Sequence, residues 1–349
     1  VTKILKKASD IAKITMLIVG AVIGAGFASG REIAEMLYSS GAASYSTVIA
    51  IMLLVAVVCI LIMWLGKKLR PQSVGDFHNA IFKKGAPIID IMVLVNCFVV
   101  LAAMVAGLSG VAMSIGAVGY VIVPIACVIA VFVVIKKDIN RLIKVNLIVM
   151  PVIIAIIVIT ALPSAMGEGG VLTGRLRLAP SLIYAGMNLI LTVGALIRAY
   201  DIDFEIMVAG AVIASIIIGG LIWVMLAAIS TNPSVAGEPM PLFALAVGNR
   251  WLTNALRVTM MLAIFTSIAI LLQTIVDWLQ SIIKSRFLSA CIVMVSAFLF
   301  SLIGFTNIVA WFYPIAGVFG VVYLAWLGGY GIFLRSKKNN AQCSVLNAQ

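Results

Sequence analysis

The chain of 349 residues is 64% hydrophobic and only 10% charged, with a mean hydropathy of +1.22. Soluble domains sit near half apolar and a quarter charged, so this composition belongs in a bilayer. The formal charge of +12 does not point to nucleic acid, because its Lys and Arg stand in short clusters between apolar runs and form no stripe with aromatics.

A membrane helix needs about 20 apolar residues. In chain order, the apolar runs predict spans at 14–38, 44–65, 87–112, 116–135, 142–162, 180–199, 205–229, 252–280, 287–305 and 308–334. Short connections make residues 1–349 one membrane transporter domain. The first run is no cleavable signal peptide: it is long, lacks a small-residue cleavage site and continues into Arg31 and Glu32. Cys59, Cys97, Cys127 and Cys291 fall inside runs and Cys343 in the tail, a spacing that fits neither a zinc site nor a disulfide framework.

With the N-terminus inside, only Arg175, Arg177, Arg250 and Arg257 fall on the outer side and Arg31 within a span; every other Lys and Arg falls inside. This asymmetry predicts cytoplasmic termini in a multi-pass plasma membrane protein. Ten spans divide into 14–162 and 180–334. Five is odd, so the second set enters from the opposite side, as in the inverted repeats of secondary transporters. The expected fold is therefore an all-α membrane protein with a 5+5 inverted repeat, spans one and six broken at mid-depth.

Span one carries Gly20, Gly24, Gly26 and Gly30; span six, SLIYAGMNLILTVGALIRAY, carries Gly186 and Gly194 beside Asn188 and Thr192. A helical Gly costs about 1 kcal/mol relative to Ala. Two readings remain open: close helix packing through small-xxx-small faces, or unwound backbone lining a cavity.

The stretch GAVIGAGFASGREI resembles the YkvI-like amino acid permease family, of the amino acid–polyamine–organocation superfamily. The resemblance implies a leucine-transporter-like fold and says little about the solute. It also implies a Na⁺ site. In sodium-coupled members of this fold, backbone carbonyls of span one and a carbonyl with two hydroxyls of span eight hold the ion. Here the matching residues are Gly20 and Ile23, with Ala263, Thr266 and Ser267. Neutral oxygens without a carboxylate suit a weakly held monovalent ion, whereas Mg²⁺ and Ca²⁺ usually recruit carboxylates. Thr266 and Ser267 could instead bond the carbonyls of their own helix. An Asn after the first glycine often marks a second Na⁺ site in such members, and Ala21 stands there.

A half-helix starting after the break would present Gly26, Phe27, Ala28, Ser29 and Gly30 to a carboxylate. Freed carbonyls near Ala21, Val22 and Ala25 would receive an ammonium. No acid lies at mid-depth in spans three, six or eight, which favours a small neutral amino acid. Asn188 and Tyr184 are candidate lining residues, Asn188 being equally readable as a helix–helix bond; Asn96 reads as structural. Related transporters carry a similarly placed Arg in their outer gate, so the resemblance implies that role for Arg31; the spacing alone offers a local i,i+4 pair with Glu35, and Glu32 reads as a proton-coupling group if buried. Span ten, 308–334, holds no acidic gate partner. Pro239 and Pro241 could start a short apolar lid before span eight, Pro124, Pro151 and Pro314 could kink their spans, and His78 reads as a solvated loop residue.

No HExxH, paired Asp or Ser/His set supports an enzyme, and span one lacks the acid a metal carrier would use. A non-transporting sensor or partner subunit stays open. The expectation is a secondary carrier of a small neutral amino acid or related organic solute, working by alternating access with Na⁺ as coupling ion and no other cofactor. A proton-coupled or uncoupled carrier is the alternative.

Overall fold

The computed structural model describes residues 2–114, 116, 119–135, 139–167, 172, 174–197, 199, 201–280 and 282–346. Lys136, Lys137 and Arg198, part of the inner charge cluster, lie outside them. Span one is divided into α1 (Thr2–Val22), α2 (Ala25–Ser29), α3 (Arg31–Ile33) and a π-helical turn (Ala34–Tyr38). There follow α4 (Tyr45–Leu69), a short α5 (Val74–Phe82), α6 (Ala86–Met113), α7 (Gly119–Ile135) and α8 (Ile139–Ala165). The second half comprises α9 (Leu178–Leu196), α10 (Phe204–Thr231), α11 (Pro241–Leu245), α12 (Arg250–Leu279) and α13 (Arg286–Ser301). It closes with α14 (Phe305–Asn307), a π-helical turn (Ile308–Phe312) and α15 (Tyr313–Leu346).

Among the described residues, each predicted apolar run falls mainly on helix. Among the described residues, 7 segments are long and apolar enough to cross a membrane. The 17-residue α7 and 16-residue α13 fall below that length, and span one is interrupted. Helix starts follow local chemistry. Ser44, Ser73, Asn249 and Ser285 each accept an N–H from the first turn of α4, α5, α12 and α13. Pro87 opens α6, where its missing N–H costs nothing.

The helices meet in pairs. α1 packs on α10 and α4 on α9; α1 packs on α8 and α9 on α15. Likewise α7 packs on α12 and α13 on α6, α8 on α12 and α15 on α6, and α10 on α8 and α4 on α15. At the middle, α6 meets α12, α4 meets α10 and α1 meets α9.

One expectation fails here. Span six is not broken: α9 runs without interruption from Leu178 to Leu196. Two of its polar residues bond their own helix, Asn188 Nδ2 donating to Tyr184 O at 3.1 Å and Thr192 Oγ1 to Leu189 O at 2.7 Å. Gly186 serves contact instead of unwinding. A Cβ there would stand 2.6 Å from Gly317 O and 2.7 Å from Val321 N, and Gly320 faces Gly186 from α15. The glycines let two helix backbones touch.

Candidate functional site: the break in span one

Ile23 N–H still donates to Val19 O at 2.8 Å, but Gly24 is extended at φ −98°, ψ −170°. Its N–H turns to Val22 O at 3.0 Å instead of reaching Gly20 O. The Gly20 carbonyl thereby loses its normal i+4 donor. The helix restarts with Ala28 N–H on Gly24 O at 2.8 Å and runs five residues before Gly30 takes φ +80°. Only Gly enters that region freely. Ser29 Oγ donates to Gly26 O at 3.0 Å and accepts Arg31 N–H at 3.3 Å, fixing the second bend.

That second bend turns Glu32 inward. The side chain lies across Gly26, where any Cβ would run into its carboxylate. Glu32 is 3% exposed and accepts hydrogen bonds from the Asn188 side chain and from Phe27 N–H. Its Oε2 has no partner. Within the stretch expected to receive a solute carboxylate, Gly26–Gly30, the N–H of Phe27 faces the chain's own Glu32.

Residues from other helices complete the cluster. Tyr184 and Asn188 of α9, predicted as lining residues, are both buried here. Tyr313, at the start of α15, is a buried residue the sequence reading did not single out. The hydroxyls of Tyr184 and Tyr313 are both buried and lack partners. Asn96 of α6 is buried with both amide atoms unpartnered. Val22, Phe27, Ala28 and Ser29 are buried and Ala21 half-buried. Ala25 opens α2, but its side chain is outside the described set.

The predicted ion-binding residues lie on α1 (Gly20), in the break (Ile23) and on α12 (Ala263, Thr266 and Ser267); α2, which follows the break, packs against α12. Ile23, Ala263 and Thr266 are buried, Gly20 and Ser267 half-buried. Thr266 Oγ1 donates to Ala263 O at 3.0 Å. The donors are neutral oxygens, which fits a weakly held monovalent cation.

Arg31 points the other way. Its Nη1 donates to Ala236 O at 3.0 Å and Glu238 O at 3.1 Å, and its Nη2 pairs with Glu35 at 2.5 Å. Those carbonyls belong to the connection between α10 and α12. In it, a 3₁₀ turn (Pro233–Gly237) and α11 fold over the second half of span one, and Pro241 Cβ lies 3.5 Å from where a Gly30 Cβ would stand. Both the local pair and a clamp on the connection are therefore present.

His78 is not a solvated loop residue. It is fully buried on α5, between Asp90 Oδ1 at 2.5 Å from Nδ1 and Tyr323 Oη at 3.0 Å from Nε2. The apolar face of α5, with Phe77, Ile81 and Phe82, carries the imidazole inward against α6 and α15.

No protein-family model matches the sequence, and no curated protein matches it. Solved structures do. MhsT in complex with L-phenylalanine superposes with TM-score 0.65 at 15% identity, over 91% of this chain and 87% of its own. Mhp1, a nucleobase-cation-symport-1 family transporter with bromovinylhydantoin bound, gives TM-score 0.59 at 16% identity, over 83% and 70%. A Na⁺-coupled sialic acid symporter in a substrate-bound outward-open state gives 0.61 at 13%, over 92% and 75%. The chain thus has the fold these transporters share, the leucine-transporter fold.

Proposed function

We propose that this protein is a secondary active transporter that moves a small amine-bearing organic solute, an amino acid or close relative, across the plasma membrane by alternating access. The observation that carries the reading is the break at Ile23–Gly24, which brings unpaired backbone and a buried carboxylate together inside a bundle of apolar helices. Non-helical backbone at membrane depth persists only where it lines a cavity or is buried in protein, and an ionisable group there marks a solute or ion path.

The helix pairing supports ten spans in two inverted halves, 14–162 and 180–334. Exchanging each span with the one five later turns α1–α10 into α9–α4, α1–α8 into α9–α15 and α7–α12 into α13–α6, all of them packed pairs. Cytoplasmic termini rest on the charge asymmetry. The amino acid class rests on the YkvI-like resemblance, and MhsT, with L-phenylalanine bound, is in keeping with it. Na⁺ is the proposed coupling ion, held by the carbonyls of Gly20, Ile23 and Ala263 and the hydroxyls of Thr266 and Ser267. It would link solute binding to closure of span one on α12.

Purified protein in liposomes tests the reading. An inward Na⁺ gradient should drive uptake of at least one amino acid or amine from a radiolabelled panel. No uptake or counterflow of any of them would point to a sensor or partner subunit. Uptake that ignores Na⁺ but follows a pH gradient would replace the ion.

A further inference from the structure

The buried histidine of α5 has no part in the carrier reading, yet it joins three helices. Asp90 Oδ1 of α6 lies 2.5 Å from its Nδ1, and Tyr323 Oη of α15 lies 3.0 Å from its Nε2. The His78 side chain is 0% exposed, while Asp90 keeps 20% and so a path to water. Aromatic packing extends the junction: Phe82 of α5 stacks on Tyr323 at 5.5 Å and on Trp326 at 5.8 Å. In this way α5, which lies between spans two and three, fastens the start of α6 to α15. It does so on the Lys-rich face that the charge asymmetry makes cytoplasmic.

The bonds fix where the protons sit. A neutral imidazole has one N–H and one acceptor nitrogen. With the Asp90 carboxylate taking the Nδ1–H, Nε2 accepts the Tyr323 O–H, and every group is satisfied. A second ring proton makes Nε2 a donor too. The Tyr323 hydrogen must then turn away, and among the described residues that hydroxyl bonds only the ring. Protonation therefore keeps the bond to α6 and disturbs the one to α15. Burial pushes the imidazole below its ordinary pKa, and the hydrogen bond and charge of Asp90 oppose that shift. The remaining charged groups around α5 are placed elsewhere. On α4, Lys67 donates to Ile202 O, Lys68 lies over Trp64 and Arg70 is exposed. Asp76 of α5, Lys83 and Lys84 of the following 3₁₀ turn and Arg335 of α15 are also exposed.

We propose that His78, Asp90 and Tyr323 form a proton-binding site that sets how firmly α5 holds α15: the latch is closed with a neutral imidazole and loosens when the ring takes a second proton. This goes beyond the carrier reading and depends on neither the solute nor Na⁺. A base whose pKa is lowered in the latched form binds fewer protons there than in the released form. The latch is therefore strongest above about pH 6.5, the ordinary imidazole value, and weakens as the pH falls below it.

Amide hydrogen exchange of the purified full chain, corrected for the intrinsic pH dependence of exchange, reads the latch. From about pH 8 to about pH 5, the range in which imidazoles titrate, opening of residues 74–82 should rise while α12 stays protected. One bound proton limits the rise to about tenfold per pH unit. His78→Gln cannot take the proton, so its α5 should respond no more to pH than α12 does. Asp90→Asn still accepts the Nδ1–H but removes the counter-charge of the imidazolium, so its α5 should open more at low pH than the wild type. Tyr323→Phe should loosen α5 about fivefold already at pH 8, the scale of one hydrogen bond. Protection of α5 that ignores pH in the wild type overturns the proposal, as does a response that persists in His78→Gln. If His78→Gln does not fold, Asp90→Asn decides: a response equal to or smaller than that of the wild type overturns the proton site.

Discussion

The carboxylate of Glu32 occupies the space that a side chain at Gly26 would need, so the two residues form a matched pair across the second bend of span one. The match explains the glycine without appeal to flexibility. Gly26 has ordinary helical surroundings, and what it lacks is room for a Cβ.

Gly26→Ala should therefore act through Glu32. Overpacking a closed interior costs about 1–3 kcal/mol, so the variant should unfold at lower temperature in detergent and lose solute-dependent stabilisation. Shortening the partner should relieve it: in a Glu32→Ala background, Gly26→Ala should cost markedly less. A double-mutant cycle in which the two changes simply add would show that they do not share the space.

Gly186 makes a different claim, because the atoms facing it are backbone. Gly317 O and Val321 N cannot retreat as a flexible side chain can. Gly186→Ala should destabilise the α9–α15 seam by at least the same 1–3 kcal/mol. Gly220→Ala on α10 is the control, since a Cβ there meets nothing within 4 Å. It should be neutral or gain up to about 1 kcal/mol of helix propensity. Equal effects on thermal unfolding at the two sites would refute the contact.

The two glycines also show how far the sequence was legible. The apolar runs gave the helices, because a bilayer demands length and apolarity, both of which are linear properties of a chain. The break in span one was readable from Gly20, Gly24, Gly26 and Gly30. The same cue misled in span six, because a glycine permits unwinding and close packing alike, and which one occurs depends on what faces Gly186 from a helix some 130 residues away. Helical spacing put Glu32 in the outer half of the span beside Arg31 and left its burial open. The φ of +80° at Gly30 reorients the chain, so that Glu32 is buried against Gly26 while Arg31 reaches the α10–α12 connection. His78 was misread because its polarity outweighed the apolar face of α5 around it.

The Na⁺ assignment makes a separable prediction. Thr266→Ala and Ser267→Ala remove one oxygen each from the proposed site without touching Glu32. Each should raise the Na⁺ concentration giving half-maximal uptake by about tenfold, the scale of one interaction with a charged group. Solute affinity at saturating Na⁺ should be nearly unchanged. An unaltered Na⁺ response in both variants would remove these hydroxyls from the ion site.

Arg31 should govern how often the connection over span one opens. Its Nη1 makes both carbonyl contacts, at 3.0 and 3.1 Å, while Nη2 pairs with Glu35. Hydrogen bonds to a charged group are worth about 1.5–3 kcal/mol, so Arg31→Ala should speed amide hydrogen exchange across residues 233–245 by about tenfold or more. Arg31→Lys keeps the charge but loses the planar fork that reaches several acceptors at once, and it should fall between wild type and Arg31→Ala. Glu35→Gln should do least. Its side chain is 28% exposed, and ion pairs open to water contribute about 0–1 kcal/mol. The order Ala, Lys, Gln separates a clamp made by carbonyls from one made by the ion pair. If Glu35→Gln loosens the connection as much as Arg31→Ala does, the ion pair holds it and the carbonyl contacts are incidental.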